Sequence, residues 1–144
     1  MEYIKAKNMN DYIMSNIEGL VMTGTITRNN SFINELEYLT TEDLTNVILD
    51  FSHRFKMTIT LNNMSHCQFY LTNTRLFVDV YKVKNDYEMF YNKLLRDNLK
   101  HESEYLIKLA KNKGYDLSVN GLYYDGFKIN VCDIKSFYNL ILDF

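Results

Sequence analysis

Hydrophobic residues recur along this chain with two spacings, one near 3.6 residues and one of two residues. The first spacing places apolar side chains on one side of a helix, and the second places them on one face of a strand. Helical spacing predicts helices over residues 1–19, 41–51, 86–95, 101–113 and 133–144. Alternation and short apolar runs predict strands over residues 20–23, 32–39, 55–61, 66–71, 76–83, 115–119, 122–124 and 127–131. We expect Thr40 or Thr41 to cap the second helix and Ser103 the fourth, which Gly114 ends.

Polar segments separate the predicted strands and complete the order of elements. They are Gly24-Thr25 with the loop 28–31, Asn62-Asn63, residues 72–74, Asn120-Gly121 and Asp125-Gly126. Asp-Gly between two strand patterns is a strong hairpin signal. This order predicts an α+β fold, in which a mixed sheet with helices precedes a small helix-plus-hairpin lobe. We place the boundary after Asp97, which gives domains 1–97 and 98–144.

The composition is that of a globular chain with a slight excess of acid. The 144 residues are 47% hydrophobic, which is enough for a core, and the net charge is −2. That charge argues against a surface that is basic throughout, although it permits a local basic face. We expect no membrane span and no secretory signal, because no long apolar run is present. Cys67 and Cys132 follow no disulfide or zinc pattern, so we expect reduced thiols in an intracellular protein, cytoplasmic or nuclear.

Acidic residues interrupt two of the apolar strands. Glu35 and Glu37 lie two residues apart, so their side chains project from one face while Leu36 points into the core. Asp79 is the only charged residue in the run 76–81. A carboxylate that lies between apolar neighbours needs a hydrogen-bonding or charged partner. Paired carboxylates repel unless solvent or a cation separates them, and Mg²⁺ prefers such oxygens. A divalent metal is therefore a candidate partner for this pair.

Three features, in this order, resemble the family X DNA polymerases of the nucleotidyltransferase superfamily. Gly24-Thr25 followed by Arg28 resembles the Gly-Ser turn of that family. Glu35-Leu36-Glu37 has the spacing of its paired aspartates, and residues 75–80 resemble the strand with its third aspartate. The segment 111–117, followed by Asn120-Gly121 and Asp125-Gly126, resembles its thumb. The likeness covers roughly residue 20 to the end of the chain, most closely the compact viral members that consist of palm and thumb.

This resemblance implies a fold, an activity and a set of site residues. Residues 1–97 would be a nucleotidyltransferase palm and residues 98–144 a thumb. The activity would be addition of nucleotides to DNA ends or short gaps, in repair or replication, by a two-metal mechanism. Its partners would be DNA and a nucleoside triphosphate, and a viral factory or virion joins the possible locations. The implied catalytic and metal-binding residues, with Mg²⁺ or Mn²⁺, are Glu35, Glu37 and Asp79. Gly24, Thr25 and Arg28 would bind the nucleotide, and Lys108, Lys111 and Lys113 the nucleic acid.

The chain departs from the family pattern at three points. Both paired carboxylates are glutamates rather than aspartates, Thr27 stands where the family has a leading arginine, and no Tyr-Phe-Thr-Gly segment occurs between Tyr87 and Asp97. An alternative function therefore stays open. The chain would then be a catalytically inactive polymerase-X-like module, serving as a structural or nucleic-acid-binding subunit of a larger replication or transcription complex with a protein partner.

Structural explanations are also open for the individual residues. Glu35 and Glu37 could be solvated acids at a strand edge, and Asp79 could pair with Arg75 or with a lysine. Gly24 could serve a turn alone, Arg28 could be a plain surface residue, and the three lysines could form a solvated helix face. The histidines, His66 among them, neighbour no candidate nucleophile and are expected to be structural or exposed.

Overall fold

A computed structural model describes residues 1–28 and 32–142, and within them the fold is α+β. Its first part contains α1 (Tyr3–Asn16), β1 (Val21–Thr23), β2 (Glu35–Thr40), α2 (Leu44–Ser52), β3 (Met57–Asn62), β4 (His66–Leu71) and β5 (Leu76–Lys82). The predicted loop 28–31 lies largely outside the described residues, as do the last two residues of the predicted final helix. The described strand β2 begins at Glu35, later than predicted.

The five strands form one mixed sheet in the order β1-β2-β5-β4-β3. The pair β2 and β5 is parallel, and the other neighbours are antiparallel. One face of the sheet forms the core with α1 and α2, because apolar residues alternate along β2, β4 and β5. This core includes Ile13, Leu36, Phe51, Phe69 and Val78. The alternate residues of β2 and β5, among them Glu37 and Asp79, consequently project from the opposite face.

A buried polar contact ties α1 to the sheet. The hydroxyl of Tyr38 donates a hydrogen bond to Oδ1 of Asn10 at 2.8 Å, and Nδ2 of Asn10 lies 3.4 Å from the sulfur of Met22. Both Asn10 and Tyr38 are buried. Buried polar groups require partners, so this contact fixes the position of α1 against β2.

The cap of α2 differs from the prediction. Asp43 is the N-cap, and its side chain accepts a hydrogen bond from the backbone N–H of Thr45 at 2.8 Å. Thr40, one of the two predicted caps, instead accepts from the N–H of Glu42 at 3.0 Å while it ends β2. Thr40, Thr41 and Asp43 all have side chains that can cap a helix. A helix that begins after Asp43 places Leu44 in the core.

The chain from Lys84 onward forms a second compact unit, separate from Met1–Val83. It contains α3 (Asp86–Asp97), α4 (Lys100–Asn112), β6 (Tyr115–Ser118), β7 (Gly121–Tyr124), β8 (Phe127–Lys128) and α5 (Ile134–Ile141). The strands form an antiparallel sheet in the order β6-β7-β8. Its own core includes Tyr91, Leu106, Leu122 and Phe137. Helix α3, which the sequence-based boundary assigned to the first domain, packs in this second core.

Two predictions about the ends of elements in this unit had different outcomes. Ser103 does not cap α4, because it is buried in the helix and its hydroxyl donates to the carbonyl of Leu95 at 2.7 Å. Gly114 does end α4, with a positive φ of 87° that favours glycine. Asp125 and Gly126 also have positive φ angles, 49° and 81°, as a tight hairpin turn requires.

Two further observations concern the surroundings of the chain. Over the described residues, none of the helices has the length and apolar character needed to cross a membrane. Cys67 is buried on β4, whereas Cys132 is exposed, and both are free thiols.

Candidate carboxylate site

Glu37 and Asp79 lie next to each other on the two parallel central strands. Glu37 of β2 pairs in register with Asp79 of β5, with Thr23 of β1 on one side and Gln68 of β4 on the other. These four residues form a polar row across the sheet, on the face away from α1 and α2. Glu37 is only 8% exposed and Asp79 only 2% exposed. The pair is therefore neither at a strand edge nor well solvated.

Glu35 completes a group of three carboxyl groups with Glu37 and Asp79. Burial, the negative charge of Glu37 and the neighbouring Asp79 together raise the pKa of Glu35 from its ordinary value to about 7, whereas Arg28 opposes the shift. The side chains of Glu35, Glu37 and Asp79 therefore lie close together on this face of the sheet.

Asp79 also contacts two side chains from β4. Its Oδ1 lies 2.7 Å from Nε2 of His66, and it accepts from Nε2 of Gln68 at 3.1 Å. The ring of His66 stacks on Tyr81 with 4.1 Å between centroids, and Gln68 accepts a hydrogen bond from Thr60 at 2.9 Å. The partners anticipated from sequence, Arg75 or a lysine, are therefore replaced by His66 and Gln68.

The turn after β1 lies against this group. Gly24 has a φ of 73°, and a Cβ built on it would fall 2.4 Å from the carboxyl carbon of Glu37. Nη2 of Arg28 lies 3.9 Å from Oε1 of Glu37, which makes an ion pair. The hydroxyl of Thr25 donates to the backbone carbonyl of Glu35 at 2.8 Å. All three residues predicted to bind nucleotide are therefore beside the carboxyl groups, where Thr25 connects the turn to β2.

The predicted lysines belong to the second unit. Lys108 and Lys111 are exposed on α4, and Lys113 is exposed directly after it.

The carboxyl groups suit a hard divalent ion in their chemistry. Mg²⁺ and Mn²⁺ both bind carboxylate oxygens, and negative charge is concentrated here, since Glu37 and Asp79 add to burial in raising the pKa of Glu35. Among residues 1–28 and 32–142, no set of three or more His, Cys, Asp or Glu side chains has the arrangement of a metal site. The donors fit such an ion in type, and their present arrangement is one of hydrogen bonds and an ion pair.

Comparison with known protein families gives no match for this sequence, and comparison with curated proteins gives no significant match.

His66 and Gln68 are the site residues that sequence reasoning missed. A signal for them was present, because the short turn after Leu71 sets Leu71 opposite Leu76 and thereby Gln68 opposite Asp79. Alternation along β4 then places His66 and Gln68 on the same face as Asp79. Counting residues back from the turn would have identified both.

Proposed function

We propose that this chain is a nucleotidyltransferase similar to the family X DNA polymerases, which adds nucleotides to DNA ends or short gaps. The observation that carries the proposal is the group formed by Glu35, Glu37 and Asp79 on neighbouring parallel strands beside Gly24. The mixed sheet with helices on one face is consistent with a palm of that superfamily.

Each side chain has a task in this proposal that its position supports. Glu35, Glu37 and Asp79 would hold Mg²⁺ or Mn²⁺, and bound ions would supply charge neutralisation for nucleotidyl transfer. The absence of a side chain at Gly24 would let the backbone approach a phosphate closely. Arg28 would add positive charge on the side of the triphosphate. His66 and Gln68 would keep the carboxylate of Asp79 in one orientation.

The proposal is tested by primer extension on gapped and blunt DNA, with Mg²⁺ and with Mn²⁺. We expect incorporation by the wild type and its loss in Glu37→Gln and in Asp79→Asn, because each substitution removes one carboxylate from the group. Asp116→Asn, which changes an exposed acid in the second unit, is the matched control and should keep full activity. Unchanged incorporation in either site variant would show that the carboxylate assignment is wrong.

A second candidate function is favoured by the contacts that the carboxyl groups already make. His66 and Gln68 bond Asp79, Arg28 pairs with Glu37, and the raised pKa of Glu35 favours its neutral form, so the protein itself compensates the buried charges. A palm of this kind would serve as a non-catalytic subunit of a replication or transcription complex. Titration calorimetry separates the two functions, because a folded chain without triphosphate binding in Mg²⁺ or Mn²⁺ favours the subunit.

A further inference from the structure

Three aromatic residues lie side by side across the small sheet of the second unit. Tyr115 of β6 pairs with Tyr124 of β7, which pairs with Phe127 of β8. We call these three residues the aromatic row. Ring centroids of Tyr115 and Tyr124 are 5.4 Å apart. Exposure increases along the row, because Tyr115 is half-buried, Tyr124 is 52% exposed and Phe127 is 74% exposed.

The fold of the hairpin does not account for the exposed rings. Leu117 and Leu122 form the next pair on the same face, and both are buried in the core of the unit. The tight turn is supplied by Asp125 and Gly126, whose positive φ angles do not depend on an aromatic residue after them. An exposed phenylalanine beside an exposed tyrosine adds little to this core, and adjacent exposed apolar residues commonly mark a binding surface.

Positive charge adjoins the aromatic row. The last turns of α4 and the residue after it carry three exposed lysines, Lys108, Lys111 and Lys113. Lys113 precedes Tyr115 by two residues in the sequence. A Cβ built on Gly114 would lie 3.3 Å from the ring of Tyr124, which shows that this ring packs on the backbone next to Lys113. Asp116 alternates to the opposite face of β6 from Tyr115. The backbone that carries Lys113 therefore lies beside the ring of Tyr124.

We propose that the aromatic row, with Lys111 and Lys113, binds single-stranded nucleic acid. Bases stack on the rings of Tyr124 and Phe127, and the lysines contact the phosphates that join those bases. Every base has an aromatic face that can stack, and every phosphodiester group carries a negative charge. We therefore expect this surface to bind single strands with little sequence preference. The inference does not rest on the carboxylate site, and it holds for a catalytic chain and for a non-catalytic subunit alike.

The test is fluorescence anisotropy of a labelled oligothymidylate at low salt, without metal and without triphosphate. We expect Phe127→Leu and Tyr124→Leu each to weaken binding by about tenfold, because each keeps apolar bulk but removes a stacking ring. Phe127→Tyr restores a ring and should bind like the wild type. Tyr105→Leu is the matched control, since Tyr105 is 61% exposed on α4 but lies outside the row.

Salt dependence tests the lysines separately. Lys111→Gln and Lys113→Gln should each reduce the slope of log affinity against log salt by about 0.7, the value expected for one phosphate contact on a single strand. Urea unfolding is measured for each variant. The side chain of Phe127 is 74% exposed, so Phe127→Leu should keep the wild-type midpoint, which excludes misfolding as the cause of its weaker binding.

Three outcomes overturn the inference. The first is a wild type that does not bind the oligonucleotide, and the second is equal binding by the wild type and both leucine variants. The third is equal affinity for an abasic oligonucleotide, which has phosphates but no bases to stack. If the leucine variants instead change self-association in sedimentation while no oligonucleotide binds, the row is a protein contact. Oligonucleotide binding is measured without metal and without triphosphate, so failure of the proposed enzyme activity and failure of this inference are separate results.

Discussion

Burial and the neighbouring carboxyl groups of the site change the pKa of Glu35. Its pKa is raised to about 7 in the folded chain, from an ordinary value of 4.5. A raised carboxyl pKa means that the folded state binds the proton more tightly than the unfolded state does. The free energy of unfolding therefore falls as pH rises from about 4.5 through 7. Above pH 7 the destabilisation of the folded state by this carboxyl group is complete.

We predict that Glu35→Gln reduces this pH dependence. A glutamine carries no charge at any pH, so the variant should gain stability relative to the wild type as pH rises, with the difference smallest near pH 4.5. Urea unfolding at a series of pH values measures it, and Glu104→Gln on the exposed side of α4 is the control. Parallel curves for the wild type and Glu35→Gln would contradict the raised pKa of Glu35 in the folded chain.

Gly24 controls the position of Glu37, and a matched glycine makes the effect measurable. Gly24 and Gly126 have similar positive φ angles, 73° and 81°, so alanine strains both backbones by roughly 1–2 kcal/mol. A Cβ at Gly126 has no atom within 4 Å, whereas one at Gly24 meets the carboxyl group of Glu37. The end of the Glu37 side chain has to move away from a methyl group added at Gly24, while nothing has to move when one is added at Gly126.

We predict that Gly24→Ala lowers the pKa of Glu35 toward its ordinary value and that Gly126→Ala leaves it unchanged. The reason is that the nearby charge of Glu37 helps to raise the pKa of Glu35. Carbon-detected NMR titration of the carboxyl groups reports each value. Both variants should lose stability through backbone strain, and Gly24→Ala should lose more because Glu37 has to move. An unaltered pKa of Glu35 in Gly24→Ala would mean that the position of Glu37 does not depend on the turn.

At the scale of elements, the contact between α1 and β2 combines apolar packing with one buried hydrogen bond. We predict that Tyr38→Phe destabilises the chain by about 1–2 kcal/mol, because Oδ1 of Asn10 loses its donor in a buried position. Urea unfolding measures the change, and Tyr12→Phe serves as the control because Tyr12 is 49% exposed on the same helix. If both phenylalanine variants unfold alike, the hydrogen bond does not hold α1 in place.

The helices and strands also show which local sequence signals suffice to predict where an element begins and ends. Strand β4 begins and ends where alternation predicted, and α3 begins at the predicted residue, where the side chain of Asn85 accepts a hydrogen bond from the N–H of Glu88. Local sequence did not identify the N-cap of a helix where several residues could serve as one. Ser103 has the right chemistry for a cap, yet its hydroxyl reaches Leu95 inside the second core, which only the packed helices α3 and α4 reveal.

At the scale of the whole molecule, the pairing of distant strands is what local pattern could not supply. Alternation fixed that Glu35 and Glu37 share a face, but only the parallel register of β2 with β5 brings them to Asp79. The resemblance to a known family suggested that pairing, whereas spacing alone did not. His66 entered the site for the same reason, since its role depends on the register of β4 with β5. Two separate hydrophobic cores likewise follow from long-range contacts that no single segment encodes.

The unequal burial of the two thiols gives the molecule a built-in reporter. Burial, with the nearby charge of Asp79, raises the pKa of Cys67 to about 11, so its reactive thiolate is scarce as well as inaccessible. A maleimide fluorophore will therefore attach at Cys132 alone in the native chain, with no engineered mutation. A second dye on the same chain can appear only after β4 has opened, so mass spectrometry of doubly labelled chains over time would record the opening rate of the sheet that bears the carboxyl groups.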